Sequence, residues 1–234
     1  MRRYRYASFQ HEWERTHLEN SRDLVFKNTF ADIETAMTLG GKNGTRFECE
    51  CYDIGHLYSL RHLMDRDIVG GRIFVQSVFG ILGGIGPHPE DVMHMRRTAN
   101  RLFGDDYEWS VLGAGSSQMR IAAQAAAMGG HVRVGLEDSL WLAPGKLAES
   151  NASQVAKVRE ILEGLSFELA TPDEAREMLQ LKGAEIGEHC IVGAPAKVVR
   201  ELTDDEVQSA LDNSRRYVQK IDTYRSLERV DPAS

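Results

Sequence analysis

Arg133, Glu137 and Asp138 fall within six positions of one another, inside the stretch Gly129-Gly130-His131-Val132-Arg133-Val134-Gly135-Leu136-Glu137-Asp138. One guanidinium and two carboxylates are costly to bury unless they pair or act on something. Val132, Val134 and Leu136 alternate with Arg133, Gly135 and Glu137. In a strand, period two puts the aliphatics on one face and Arg133 with Glu137 on the other. Asp138 follows where such a strand should stop. Aliphatics outward and charge inward fit the wall of a parallel α/β barrel, where the inner face carries chemistry at the C-terminal strand ends. A structural ion pair closing the barrel mouth is the other use of the same residues.

A second charged strand is expected over Thr45–Asp53. Arg46, Glu48, Glu50 and Tyr52 share one face; Phe47, Cys49 and Cys51 share the other. Free cysteine behaves as a small hydrophobe, so the cysteine face is the packing face. Glu48 and Glu50 then face water in an antiparallel sheet, or a polar barrel interior. The parallel pattern of the neighbouring strands favours the interior.

The elements that must position these groups alternate as strand and helix from about residue 24 to 182. Residues 4–9 read as a strand, and 11–20 as a short helix or irregular loop. Asn28 or Thr29 caps a helix that stops at Gly40-Gly41. A helix over 55–67, a strand over 72–79 and a helix over 90–102 follow, then a strand over 108–112 and an alanine-rich helix over 118–128. Pro144-Gly145 turns the chain. Ser150 or Asn151 caps a helix to Leu162, and Thr171-Pro172 starts one that Gly183 ends. Thr203 caps a last helix to about Ile221. This is the pattern of a βαβ run. Four or five strands are visible where a closed barrel needs eight, so the count does not close.

Composition narrows the classes. A net charge of -7 argues against a nucleic-acid partner, and no apolar run approaches the roughly 18 residues that span a bilayer. Three cysteines make no disulfide framework, which points to a reducing cytoplasm. The eight histidines include no His-x-His pair and no His-Glu-x-x-His arrangement. Gly80–Gly86 matches neither the dinucleotide fingerprint nor a P-loop. It is an anion cradle of backbone N–H groups or a plain tight turn. Gly113–Gln118, between strand and helix, could likewise offer donors to a phosphate or carboxylate. Ser116 and Ser117 lack the nucleophile elbow.

Taken as a set, several stretches resemble the β-keto acid cleavage enzymes, whose founding activity is 3-keto-5-aminohexanoate cleavage in lysine fermentation. They are Asn28-Thr29-Phe30, Phe47–Asp53 with Gly55-His56, Phe79–Gly84, Gly129–Asp138, Gly145–Ala152 and Thr171–Arg176. The resemblance implies an α/β chain forming a partial TIM (β/α)8 barrel, about strands four to eight, with a C-terminal helical extension. Residues 1–183 would be the partial-barrel catalytic domain and 184–234 the extension. It also implies a zinc-dependent acyltransferase that condenses a small β-keto acid with acetyl-CoA to give acetoacetate and a new acyl-CoA. By position, Glu137 matches the zinc-ligating glutamate, Asp138 the general base, Arg133 the orienting arginine, and Glu50 an active-site glutamate. The family's other two zinc ligands, a His-x-His pair, have no counterpart here, so one of three expected ligands is present. The implied partners are acetyl-CoA and the keto acid, with a homo-oligomer or a complementing N-terminal chain supplying the first strands. A non-catalytic barrel remnant serving as an assembly or binding module is the rival expectation.

Overall fold

The structure, a computed structural model, describes residues 9, 11–181, 203–212 and 215 with side chains. It describes the backbone alone of 4–5, 190–193, 197–201 and 228–229. In chain order the elements are β1 (Tyr4–Arg5), α1 (Glu12–Asn20), α2 (Phe30–Lys42), β2 (Glu48–Cys51), α3 (Ile54–Asp65) and β3 (Ile73–Phe79). Then come α4 (Pro89–Phe103), β4 (Tyr107–Gly113), α5 (Gln118–Ala127), β5 (His131–Arg133), β6 (Trp141–Ala143), β7 (Lys146–Leu147), α6 (Asn151–Gly164) and α7 (Pro172–Met178). The last are β8 (Cys190–Gly193), β9 (Lys197–Glu201), a helical stretch over 204–212, and β10 (Glu228–Arg229).

Strands β2, β3, β4 and β5 form one parallel sheet in that order. Each crossover is helical, as parallel pairing requires. Among the described residues, four strands therefore take part. Tyr4–Arg5 pairs antiparallel with Glu228–Arg229 instead of joining the parallel sheet. The described sheet is open: β2 and β5 each pair on one side only. The C-terminal segment is not purely helical, because β8 and β9 form an antiparallel hairpin. Gly183 and the end of the last expected helix lie outside the described residues.

Local chemistry explains most boundaries. Thr29 caps α2 through a reciprocal box with Asp32, an arrangement worth about 1 kcal/mol. That helix runs through Gly40-Gly41 to Lys42 and ends on Asn43. Residues 80–86 form a closed turn: Gly80 N–H donates to Ile85 C=O, Gly84 N–H to Ile81 C=O, and Ile85 N–H to Tyr52 C=O. The loop therefore closes on itself as a tight turn and is tied to the end of β2 through Tyr52. In the next loop, Ala114 N–H goes to Phe79 C=O and Gly115 N–H to Asp138 C=O.

The core lies on the helix-covered face of the sheet. Cys51, Val75, Phe79, Trp109 and Val111 pack against Leu57, Val92, Met95, Ala99, Ile121 and Ala125. Trp109 is 2% exposed, and its Nε1–H donates to Ser77 Oγ at 3.0 Å. Gly130 leads into β5 directly against that indole. A Cβ there would sit 2.5 Å from Trp109 Cε3, so only glycine lets the chain pass. The cysteine face of β2 packs as the sequence predicts, with Cys51 in the core and Cys49 against it. Burial pushes the Cys49 thiol up to about 11 and the Cys51 thiol up to about 12, so both are unreactive as thiolates at neutral pH.

Candidate active site

The opposite face of the same sheet is polar. Parallel pairing sets Glu50 beside Gln76, Gln76 beside Ser110, and Ser110 beside His131. One row thus crosses all four strands on one face, with Tyr52 and Arg133 two residues further toward the C-terminal strand ends. Gln76 is fully buried. Its Nε2 donates to Glu50 Oε1 at 3.3 Å, and its Oε1 accepts from Ser110 Oγ at 3.3 Å. Tyr52 Oη donates to Glu50 Oε2 at 2.7 Å.

Arg133 gathers the three carboxylates expected from the sequence. Its Nη1 donates to Glu50 Oε1 at 3.0 Å and its Nη2 to Glu137 Oε2 at 2.8 Å. Asp138 takes a two-pronged grip, from Nε at 3.1 Å and Nη2 at 3.2 Å. The Asp138 side chain is 7% exposed, whereas that of Glu137 is 64% exposed. Arg133, Glu50, Glu137 and Asp138 therefore do meet, at the C-terminal end of the sheet.

The route by which they meet differs from the expected one. The strand stops at Arg133, so period-two alternation does not bring Glu137 to it. A turn does: Gly135 C=O accepts from Asp138 N–H at 3.2 Å and from Ser139 N–H at 3.0 Å. The chain doubles back and presents both carboxylates to the guanidinium.

Electrostatics separate the groups. Burial raises Asp138 above its ordinary value of 3.8. Arg133 opposes that rise, while the charges of Glu137 and Glu50 add to it. Burial also raises Glu48, against the pull of Arg133. The bond to Glu50, helped by burial, lifts the Tyr52 phenol to about 12. A half-buried arginine surrounded by carboxylates stays charged, and among the described residues it is the only cation bonded to these three acids. A cavity of about 280 Å³ extends from this face toward the N-terminal strand ends, lined by Glu48, Phe74, Gln76, Ser110 and Arg133, with Met178 at the end of α7.

Gln76 and Ser110 are the residues that sequence reasoning passed over; Tyr52 was placed on the polar face with Glu50 but given no role. The available signal was one glutamine in the middle of Ile73–Phe79, a run of otherwise apolar or small residues. A polar side chain at the centre of a buried strand calls for a buried partner.

Zinc does not fit this donor set. Among the described residues, no three His, Cys, Asp or Glu side chains are placed to hold a metal ion together. Catalytic zinc sites use three protein ligands. Glu137 Oε2 is already engaged by Arg133, and no histidine stands beside it in the hydrogen-bonded cluster.

This parallel α/β chain collects its charged groups at the C-terminal strand ends, the place where α/β folds hold their sites. The particular family follows from comparison: residues 5–181 match the β-keto acid cleavage enzymes, and the chain belongs to that family. A 3,5-dioxohexanoate:acetyl-CoA acetone transferase of Paraburkholderia graminis is 66% identical over 180 residues, covering 77% of this chain and 58% of that protein. A 3-keto-5-aminohexanoate cleavage enzyme of Fusobacterium nucleatum is 33% identical over 68% of this chain and 57% of its own length. A 3-dehydrocarnitine:acetyl-CoA trimethylamine transferase of Rhizobium meliloti is 32% identical over 68% of this chain and 51% of its own. The chain thus spans a little over half the length of these relatives. A solved structure, the binary complex of ObcA with oxaloacetate, shares the fold at a TM-score of 0.51 and 20% identity, over 66% of this chain and 41% of that one. No described helix is long and apolar enough to cross a membrane.

Proposed function

We propose that this chain is part of an acetyl-CoA-linked β-keto acid cleavage enzyme, with Asp138 as base, Arg133 as orienting cation and Glu50 as its inner-face partner. In the reaction, the carbon between the two carbonyls of the keto acid loses a proton and bonds to the acetyl carbon of acetyl-CoA, whose C–S bond breaks to release the coenzyme A thiolate. The bond from that carbon to the original acyl group then breaks. Coenzyme A takes that acyl group, acetoacetate leaves, and the proton is returned. Asp138 suits the first step because burial raises its basicity while Arg133 keeps it anchored. Arg133 suits the second role because a guanidinium can trade one carboxylate for another in the same planar geometry. A substrate carboxylate would displace Glu137, the most exposed of its three partners.

The observation that carries this reading is the two-pronged Arg133–Asp138 pair on the family's own motif. The free edges of β2 and β5 support a barrel completed by strands from outside the described residues, in a complementing chain or a homo-oligomer. A zinc site would likewise need ligands from outside them, and no step above is assigned to the metal. The cytoplasm is the compartment in which we place the reaction. The narrow donor set favours a second reading, a non-catalytic barrel remnant that serves as an assembly or binding module.

The deciding experiment supplies the purified chain with acetyl-CoA and a panel of β-keto acids, 3,5-dioxohexanoate included. It is run alone and with a polypeptide carrying the strands present in the relatives and missing here. Acetoacetate formed with either preparation supports the enzyme. None in both, from a complex shown to assemble, establishes the second reading.

A further inference from the structure

The turn that carries Glu137 and Asp138 is held by three side-chain amides that belong to neither the sheet nor the charged cluster. Gln118, the first residue of α5, accepts from Gly135 N–H through Oε1 at 3.1 Å. Asn151, the first residue of α6, accepts from Leu136 N–H through Oδ1 at 2.8 Å. Gln154, one turn later, donates through Nε2 to Ser139 C=O at 2.5 Å. Between them, Gly115 N–H donates to Asp138 C=O at 2.8 Å.

The two glutamines are 1% and 0% exposed, and among the described residues each leaves its other amide atom without a partner: Nε2 of Gln118 and Oε1 of Gln154. A half-satisfied buried amide costs stability, and an apolar side chain of the same shape would avoid that cost. Two such amides facing one turn are poorly explained as packing. They are explained if the bonds they do make fix the turn.

We propose that Gln118, Asn151 and Gln154 are positioning residues that set the Glu137–Asp138 turn so that Asp138 lies two-pronged on Arg133. None of the three touches the reacting carboxylates in this structure; each acts through the backbone at 135, 136 or 139. This also assigns a role to Asn151 within Gly145–Ala152, a stretch with no part in the chemistry above. The inference rests on the proposed function only in taking Asp138 and Glu137 as the acting groups.

The clamp has a polarity that makes it testable. Gln118 and Asn151 serve as acceptors, so Asn151→Asp keeps its bond. Gln154 serves as a donor, so Gln154→Glu sets a carboxylate against a carbonyl and loses its bond. Asn151→Ala deletes an acceptor while giving α6 a better helix former, so a weakened helix cannot account for its effect. The readout is nitrogen-15 NMR on the full chain, which needs no turnover: hydrogen exchange at Arg133 Nε–H and at the Leu136 amide, with Val75 and Val111 amides as the folding control. Asn151→Ala and Gln154→Glu should speed exchange at Arg133 Nε–H about tenfold, the scale of one lost hydrogen bond, with the controls unmoved. Asn151→Asp, at an exposed position, should match the parent. Unchanged Arg133 Nε–H exchange in Asn151→Ala and Gln154→Glu overturns the proposal, as does equal loss in Asn151→Asp, which keeps its bond. Should one disruptive variant unfold, the other decides. Absent turnover with this polarity intact counts against the proposed function and leaves the clamp standing.

Discussion

The two faces of one four-stranded sheet are built from alternate residues of the same strands, and they differ in what completes them. On one face Val75, Phe79, Trp109 and Val111 are sealed by α3, α4 and α5, all within this chain. On the other, Glu50, Gln76, Ser110 and Arg133 satisfy one another through a single line of hydrogen bonds, and a cavity lies against Gln76, Ser110 and Arg133. The first face holds the fold together. The second depends on charge balance, with one guanidinium set against three carboxylates. Stability and chemistry are therefore separable here: a change on the helix side should move the melting point, and a change on the polar side should move pH behaviour and turnover.

The largest effect expected on the polar side is on turnover. Asp138→Asn keeps the shape and one acceptor for Arg133 but cannot take a proton. In a preparation that makes acetoacetate, kcat should fall about 1,000-fold, within the range general bases supply. Because the Asp138 carboxyl is raised, the acid limb of the parent's rate profile should lie above 3.8, with rate rising as pH rises through it. Persisting turnover in Asp138→Asn would move the base elsewhere.

The helix side should give the largest loss of stability. Trp109→Ala removes an indole that is 2% exposed together with its bond to Ser77, and should cost roughly 4 kcal/mol by denaturant melting. Phe74→Ala, on the polar face beside the cavity, should cost less than half of that. Equal costs would mean that the two faces are equally consolidated, and the contrast would fail.

Arg133→Met comes next, at about 2 kcal/mol near neutral pH, the scale of leaving a partly buried charge unpaired. Its sign against pH is what distinguishes it. Arg133 is the only group lowering Asp138; burial, Glu137 and Glu50 all raise it. With the arginine gone, the folded value rises further above the unfolded one, so the native state binds more protons than the unfolded state. Stability of the variant should then recover as pH falls toward 4. A variant that loses further stability on acidification relative to the parent would show that the carboxylates are not repelling one another.

Much of this contrast was legible in the sequence, and the rest was hidden for identifiable reasons. Period two in Phe47–Tyr52 assigned Cys49 and Cys51 to the packed face and Glu50 to the polar one, because alternation is a local property. The meeting of Arg133, Glu137 and Asp138 was legible as spacing, but its cause was not. The strand ends at Arg133, and the turn after it is set by Gln118, Asn151 and Gln154, which lie up to 17 residues away from the groups they bind. Gln76 lies inside the strand expected over 72–79, but its role was hidden because its partners Glu50 and Ser110 are set by register between strands, which local patterning does not encode. Residues 4–9 read as a strand ahead of the run. The pairing of Tyr4–Arg5 with Glu228–Arg229, across nearly the whole chain, leaves no mark in its own composition.

The smallest effect probes the polar face most directly. Tyr52 is raised to about 12, chiefly by its bond to the Glu50 carboxylate. Its protonated form is thus favoured in the native state, so its stabilising contribution is complete below the ordinary value of 10.0 and is lost as pH climbs toward 12. Glu50→Gln removes the negative charge but keeps an acceptor oxygen, and should let Tyr52 titrate back toward 10. The chain has seven tyrosines, and Tyr107 is also raised, by burial. The Tyr52 signal is therefore taken as the difference in tyrosinate absorbance between each protein and its Tyr52→Phe counterpart. A difference curve that stays near 12 without the Glu50 charge would assign the shift to burial. It would also remove Glu50 from the network, leaving Arg133 to be balanced by the turn alone.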